Sequence, residues 1–229
     1  ACCRGLHLYG VFSVSSEFTY FKKYKVPLRG VIHVGAHRGE EIHQYEELGA
    51  KKIIWVEPNP DVFKEMEILL NDAEATTESA AFEYAASNVD HETVDFNLYY
   101  GPDAGHLVGN KGCSSLLKAK GRFEDWYQET IKVETITIDT LVEENDFVFA
   151  DYDLLNLDVQ GAELMALEGA TKTLNNVNYI STEATWDNPD YVGNVMYDEL
   201  KAFLESKGFK EEEIINHGEN WGDVLFVRS

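Results

Sequence analysis

The sequence predicts a doubly wound α/β sheet with helices on both faces. Three observations carry that prediction. Apolar strand patterns alternate with helical patterns from residue 30 onward. A glycine turn, "HVGAHRGEE" (His33 to Glu41), follows the first of these strands. Two further strand patterns, "KIIWVEP" and "YDLLNLDV", carry carboxylates near their ends, Glu57 and Asp158. Open sheets of this kind bind ligands at the carboxyl ends of their strands. Three places therefore matter for function: Gly35 to Gly39, Glu57 to Asn59, and Asp158 to Glu163.

The elements follow in order. Val31 to Val34 is a short buried strand. A helix runs from Glu40 to Leu48 and stops at Gly49. The second strand ends at Pro58, Asn59 caps the next helix, and Pro60 takes its first position; this helix reaches about Leu70. "FEYAAS" is a third strand, and alternation makes "VDFNLYY" another. "GPDAGHLVGNKGCSS", with its four glycines, is loop, of a length that compact domains keep for function or motion. "KVETITI" and "YDLLNLDV" are strands, and "GAELMALEGATKTL" is one helix with Leu164, Leu167 and Leu174 at helical spacing. "VNYISTEA" is a strand. The helix carrying Tyr197, Leu200, Phe203, Leu204 and Lys207 stops at Gly208, and "DVLFVRS" closes the chain as a strand. Residues 1–29 read as an N-terminal extension packing on a single domain of residues 30–229.

Composition narrows the function classes. Nineteen basic and 41 acidic side chains give a formal net charge of -22. Such a surface repels phosphate backbones, which argues against nucleic acid as a partner. No apolar run approaches the roughly 20 residues of a membrane span. "LHLYGVFSV", from Leu6, is short and contains His and Gly, which argues against a signal peptide. Cys2, Cys3 and Cys113 are odd in number and lack zinc spacing, so they read as reduced thiols in a cytoplasmic compartment.

The chemistry at the strand ends is more specific. Gly35 and Gly39 allow close packing and backbone N–H groups exposed to a ligand. Glu57 lies 22 positions after Gly35, the spacing of an acid that bonds ribose hydroxyls. Together they favour an adenosine-type ligand, a dinucleotide or S-adenosylmethionine. A dinucleotide turn carries a second glycine where His37 stands, and a bulky side chain there disfavours a pyrophosphate. Asp158, at the tip of a buried strand, is placed for base catalysis or metal binding. Glu163 is either a first-turn acid favoured by the helix dipole or a metal ligand. His33, inside a strand, is a core histidine. His37 is either exposed on its loop or in contact with cofactor or acceptor, and His106 and His217 are further loop candidates for a base. Trp126, Tyr127, Trp186 and Tyr191 are candidates to stack on a ligand ring, although core packing is the default for such residues.

"VIHVGAHRGEE", "WVEPNP", "LNLDVQGAELMALEGA" and "YISTEA", in that order, resemble the motifs of FkbM-type methyltransferases, class I S-adenosylmethionine-dependent enzymes. The resemblance continues through "SSLL" (Ser114 to Leu117), "TITIDTL" (Thr135 to Leu141) and "WGDVLFV" (Trp221 to Val227), and covers about residues 30–228. It implies a Rossmann-like seven-stranded sheet with the last strand antiparallel. It also implies O-methyl transfer to a hydroxyl of a sugar, glycan or related small molecule. By position, Gly35, Ala36 and Gly39 would line the methionine part of the cofactor, and Glu57, followed by Pro58 and Asn59, would take the ribose. Ala85 and Ala86 would lie near the adenine, and Asp158 would face the methyl or the acceptor. Two positions depart from the common pattern, His33 for Asp and His37 for Asn, but some members share these histidines.

Removing the proton of a weakly acidic hydroxyl calls for a base or a metal. Asp158 is the expected base, with Glu183 as second carboxylate and His37 as a further catalytic candidate. Asp158, Glu163 and Glu183 would together form an oxygen-rich site suited to Mg²⁺ or Mn²⁺. The alternatives are a dinucleotide oxidoreductase, disfavoured by His37 and by the lack of a second nucleotide motif, and a non-catalytic binding protein of the same fold.

Overall fold

The computed structural model describes residues 16–100 and 113–229. Seven strands form the central sheet: β1 (Gly30–Val34), β2 (Lys52–Val56), β3 (Glu78–Phe82), β7 (Leu154–Leu157), β8 (Tyr179–Thr185), β9 (Phe209–Asn216) and β10 (Trp221–Arg228). Their order is β3-β2-β1-β7-β8-β10-β9. β10 runs antiparallel to both β8 and β9, while the pairs from β3 across to β8 are parallel. This is the sheet that the motifs implied. A second sheet of three strands holds β4 (Ala85–Ala86), β5 (Thr93–Tyr100) and β6 (Tyr127–Ile136).

β1 and β7 are buried along their whole length. Near-continuous apolar runs are what a parallel strand covered on both faces requires. Ile32, Val34, Ile54, Leu155 and Leu157 pack on one face against α4 (Ile138–Glu144), α5 (Glu163–Glu168) and α7 (Tyr197–Ser206). Val31, Ile53, Trp55 and Leu154 pack on the other against α1 (Ser16–Tyr24), α2 (Ile42–Glu47) and α3 (Pro60–Asp72). The described part of the N-terminal extension is thus bound to the core. Phe18 and Phe21 of α1 are fully buried, with Phe18 against Tyr45 and Phe21 edge-on to Tyr179. Burying each such ring stabilises by about 1.5–3 kcal/mol.

Local signals placed the caps. The Asn59 side chain accepts the Asp61 N–H at the start of α3, as expected. Four elements differ from the sequence reading. Residues 82–87 are not one strand: Phe82 ends β3, and the chain crosses to the second sheet, where Ala85 and Ala86 pair with Thr135 and Ile136. The strand expected to run to Ile138 stops at Ile136, because Thr137 accepts the Thr140 N–H and caps α4. The helix expected over 161–174 is two, α5 and α6 (Thr171–Leu174). They separate at Gly169, where a Cβ would stand 2.1 Å from the Ser87 carbonyl oxygen. β9, "FKEEEIIN", was not anticipated. Its alternation is half-buried, and its charges suit an edge strand.

Cys113 is disulfide-bonded, so the reading of the cysteines as reduced thiols fails there, and with it the composition argument for a reducing compartment. Cys2, Cys3 and His106 lie outside the described residues. No described helix is long and apolar enough to cross a membrane.

His33 is a core residue, as expected, and is 4% exposed. Its Nδ1 lies 3.2 Å from Tyr45 Oη, and its Nε2 lies 3.4 Å from Asn156 Nδ2, which donates to Tyr45 Oη at 2.8 Å. Burial pushes the imidazole down from 6.5 to about 4. The unfolded chain therefore takes up this proton at a higher pH than the folded one. The stability involved is fully present above about pH 6.5 and is lost as pH falls towards 4. His33→Gln is expected to flatten the fall of the urea midpoint across that window, by an amount corresponding to about 3 kcal/mol. Equal pH slopes for the two proteins would contradict this account.

Candidate active site

β1 lies between β2 on one side and β7 on the other, so the connections diverge at the β1–β7 boundary. At the carboxyl ends of these strands lies a cavity of about 570 Å³, counting its open mouth. This falls in the range of small-molecule sites, roughly 300–1,000 Å³.

The turn after β1 is built differently from what its glycines suggested. Gly35 has φ +75°, and a Cβ on it would stand 1.9 Å from the Asp158 carbonyl oxygen. Glycine is therefore demanded first by the approach of β7. The N–H groups of Gly35 and Ala36 both donate to Val56 O, at 2.9 and 3.0 Å, and that of Gly39 donates to Ala36 O at 2.9 Å. These donors are turned inward and not towards a ligand. Gly35 and His37 line the cavity, but Ala36 and Gly39 do not. Ala36 is buried in the opposite core, and Gly39 packs beside Met66 and Leu70 of α3.

Glu57 leaves β2 into the same cavity and is 7% exposed. Its Oε2 accepts the His37 N–H at 3.0 Å and its Oε1 accepts the Asn59 N–H at 2.8 Å. Burial raises this carboxyl to about 7, against the pull of the two backbone donors. Each oxygen keeps a further lone pair for a hydroxyl donor. Pro58, Ala85 and Ala86 line the cavity beside it, with Tyr84, Phe96 and Leu116 completing an apolar wall. Asn59 contributes its N–H to Glu57 and its side chain to the cap of α3, and does not line the cavity. The His37 ring is held by Glu40, with Nδ1 3.1 Å from Oε1.

Asp158 lines the opposite side, beyond β7, and is fixed by Gln160. Gln160 is buried, has φ +54°, and was not singled out in the sequence. Its Nε2 donates to Asp158 Oδ1 at 2.5 Å and to Glu183 Oε2 at 3.2 Å. Its Oε1 accepts from Tyr191 Oη at 3.2 Å, and its carbonyl accepts from Ser115 Oγ at 2.8 Å. Burial and the adjacent Asp158 charge push Glu183 well above the usual carboxylate range. Glu163 is 2% exposed, accepts the Gly161 N–H at 3.0 Å, and is raised by burial to about 7. It is a first-turn acid of α5, one of the two readings its position allowed.

The expected metal set is not formed. Among the described residues, no group of three or more His, Cys, Asp or Glu side chains is placed to hold an ion. The Gln160 amide bridges Asp158 and Glu183, and Glu163 turns back on its own helix start. Nor do the four aromatic candidates line the cavity. Trp126 packs on Phe123, Trp186 on Tyr197 and Tyr191 near Tyr99, while Tyr127 lies exposed beside Tyr100. His217 pairs with Asp223, Nε2 to Oδ2 at 2.6 Å. Of the lining residues not named as candidates, Ser114 and Leu116 lay within the "SSLL" motif and Tyr84 within "FEYAAS"; Phe96 had only strand alternation as a signal.

The family described as the methyltransferase FkbM domain matches residues 33–211. No curated protein matches the chain. Among solved structures, TehB from Haemophilus influenzae is 11% identical with a TM-score of 0.53, over 96% of this chain and 64% of that one. A candidate tRNA methyltransferase from Streptococcus pneumoniae is 12% identical with a TM-score of 0.53, over 94% and 71%. Magnesium protoporphyrin IX methyltransferase from Synechocystis, solved with bound S-adenosylmethionine, is 9% identical with a TM-score of 0.49, over 93% and 77%. At such identities the likeness concerns the fold alone. The match over most of the chain, on a sheet with its cavity at the β1–β7 switch, makes this protein a member of the FkbM methyltransferase family, an S-adenosylmethionine-dependent methyltransferase.

Proposed function

We propose that the protein methylates a hydroxyl oxygen of a sugar, glycan or related small molecule. The observation that carries the reading is that Glu57 and Asp158, at the ends of β2 and β7, line one cavity on either side of β1. The residues present suit the cofactor. A buried carboxylate with spare lone pairs matches the ribose hydroxyls, and the wall of Tyr84, Ala85, Ala86 and Phe96 matches a flat apolar base. When bound, S-adenosylmethionine supplies an electrophilic methyl group on a sulfonium centre.

The chain's own residues then have three tasks. Glu57 anchors the ribose end through oxygens already oriented by two backbone donors. The cavity walls orient cofactor and acceptor, and orientation of this kind accounts for much of the rate of an in-line displacement. Asp158 receives the proton of the acceptor hydroxyl. Glu183, raised by burial and by Asp158, keeps its proton, so Asp158 is the ionised member of the pair. Gln160 supports that division by donating to Asp158 at the shorter distance. The sugar acceptor follows from the resemblance to family members that act on such hydroxyls. The net charge of -22 supports a substrate other than nucleic acid.

Glu57→Gln is expected to weaken S-adenosylmethionine binding by about 10- to 100-fold in calorimetry, from the loss of charge-assisted bonds to hydroxyls. Unchanged affinity would remove Glu57 from the ribose site, and binding of NAD in place of S-adenosylmethionine would reassign the cavity to a dinucleotide. Asp158→Asn is expected to lower turnover by about 10²- to 10⁴-fold with cofactor affinity retained. Undiminished turnover on a methyl-accepting sugar would rule out Asp158 as the base.

A further inference from the structure

Two short segments meet beside the cavity, Lys118 to Lys120 in the β5–β6 connection and Asp190 to Val192 in the loop beyond β8. Ala119 and Tyr191 form an antiparallel bridge. The Val192 N–H donates to Lys118 O at 2.8 Å, and the Lys120 N–H donates to Asp190 O at 2.7 Å. We propose that this ribbon is the acceptor platform and that Lys118 and Lys120 select a sugar carrying a negative charge, a carboxylate or a phosphate group. The inference rests on the reading of the protein as a sugar O-methyltransferase and names the class of its acceptor.

Side chains on such a ribbon alternate between its two faces. Ala119 and Tyr191 pack inward with Tyr99 and Phe123. Lys118, Lys120 and Val192 are exposed. Ser114 and Leu116, earlier in the same segment, line the cavity. Two residues span at most about 7 Å of chain, so the Lys118 Cα lies within that distance of the Leu116 Cα. The flexible four-carbon stem of lysine extends the reach of its ammonium group from there.

The ribbon is fixed relative to the base. Tyr191 Oη lies 2.5 Å from Cys113 O and 3.2 Å from Gln160 Oε1. The same carboxamide donates to Asp158 through Nε2. From the other side Tyr99 Oη accepts the Ala119 N–H at 2.6 Å, and Asn97 Nδ2 donates to Leu117 O at 3.2 Å. A platform held in this way loses little entropy when a ligand settles on it.

The charge of the segment runs against that of the protein. From Ala104 to Phe123 the chain carries Lys111, Lys118, Lys120 and Arg122 and no Asp or Glu, in a protein with 41 acidic and 19 basic side chains. Lys111 and the Arg122 side chain lie outside the described residues, so the inference rests on Lys118 and Lys120. Neither forms an ion pair among the described residues. Asp95 feels the Lys118 charge but is held by Lys132 at 2.7 Å. Asp190 stands across the ribbon from Lys120, which leaves Lys118 the larger part. A net charge of -22 repels an anionic ligand, and cations at the mouth reverse that field locally. A neutral sugar needs no such reversal.

Ligand-observed NMR titration of the full chain saturated with S-adenosylhomocysteine tests this. D-glucuronate, D-galacturonate and glucose 6-phosphate are set against D-glucose and D-galactose. The acidic sugars are expected to bind at least about tenfold more tightly than the neutral ones. That preference is expected to shrink as salt rises from about 0.05 M to about 0.5 M. Lys118→Gln combined with Lys120→Gln is expected to abolish it, and Lys118→Arg combined with Lys120→Arg to keep it. S-adenosylhomocysteine affinity should be equal in all three proteins by calorimetry, which also reports that the variants fold. Preference for the uronates identifies a carboxylate as the recognised charge and preference for glucose 6-phosphate a phosphate; either upholds the proposal. Equal binding of neutral and acidic sugars, or an unchanged preference in the glutamine variant, overturns it and leaves the sugar reading standing. Binding of no sugar of either kind overturns both. Failure of the wild type to bind S-adenosylhomocysteine overturns the cofactor reading, and the acceptor inference falls with it.

Discussion

The closure of β1 against β7 is the contact on which the site depends. Gly35 leaves no room for a side chain beside the Asp158 carbonyl. The Asp158 N–H donates to Val34 O at 3.0 Å, and the Gly35 and Ala36 N–H groups converge on Val56 O. Three strand ends are thereby locked within a few residues of one another. Glu57 on β2 and Asp158 beyond β7 inherit their positions from that lock. A cavity at a switch point exists because the two sides of the sheet turn away from each other there.

The second constraint is the burial of acid groups. Glu57, Glu163 and Glu183 are all raised by desolvation, which penalises their charged forms. A buried carboxyl is tolerated where donors meet it. Backbone N–H groups serve Glu57 and Glu163, and one carboxamide serves Asp158 and Glu183 together. Gln160 thus bridges the two carboxyl groups through one amide nitrogen. The same environment holds carboxyl groups near neutrality, where small changes in surroundings move protons.

The parts of the fold legible in the sequence were those governed by neighbours along the chain. The apolar runs of β1, β2 and β7 follow from burial on both faces. Asn59 before Pro60 announced the start of α3 through a bond spanning two residues. The breaks that were missed come from distant contacts. Gly169 interrupts a helical pattern because Ser87, 82 positions away, passes against it. β9 was hidden because an edge strand tolerates a run of Glu that obscures its alternation.

The same division applies to the site. The sequence by itself determined that carboxylates stand at two strand ends, that a glycine turn precedes them, and that the family is one of methyltransferases. Each of those facts is carried by motifs a few residues long. Only the tertiary structure decided that the turn's N–H groups face inward, that Gln160 bridges two acids expected to share a metal, and that the four aromatic candidates lie outside the cavity. Those outcomes depend on hydrogen bonds and packing between residues tens of positions apart. A residue's type shows which bonds it is able to make, and the fold chooses which partner comes within reach.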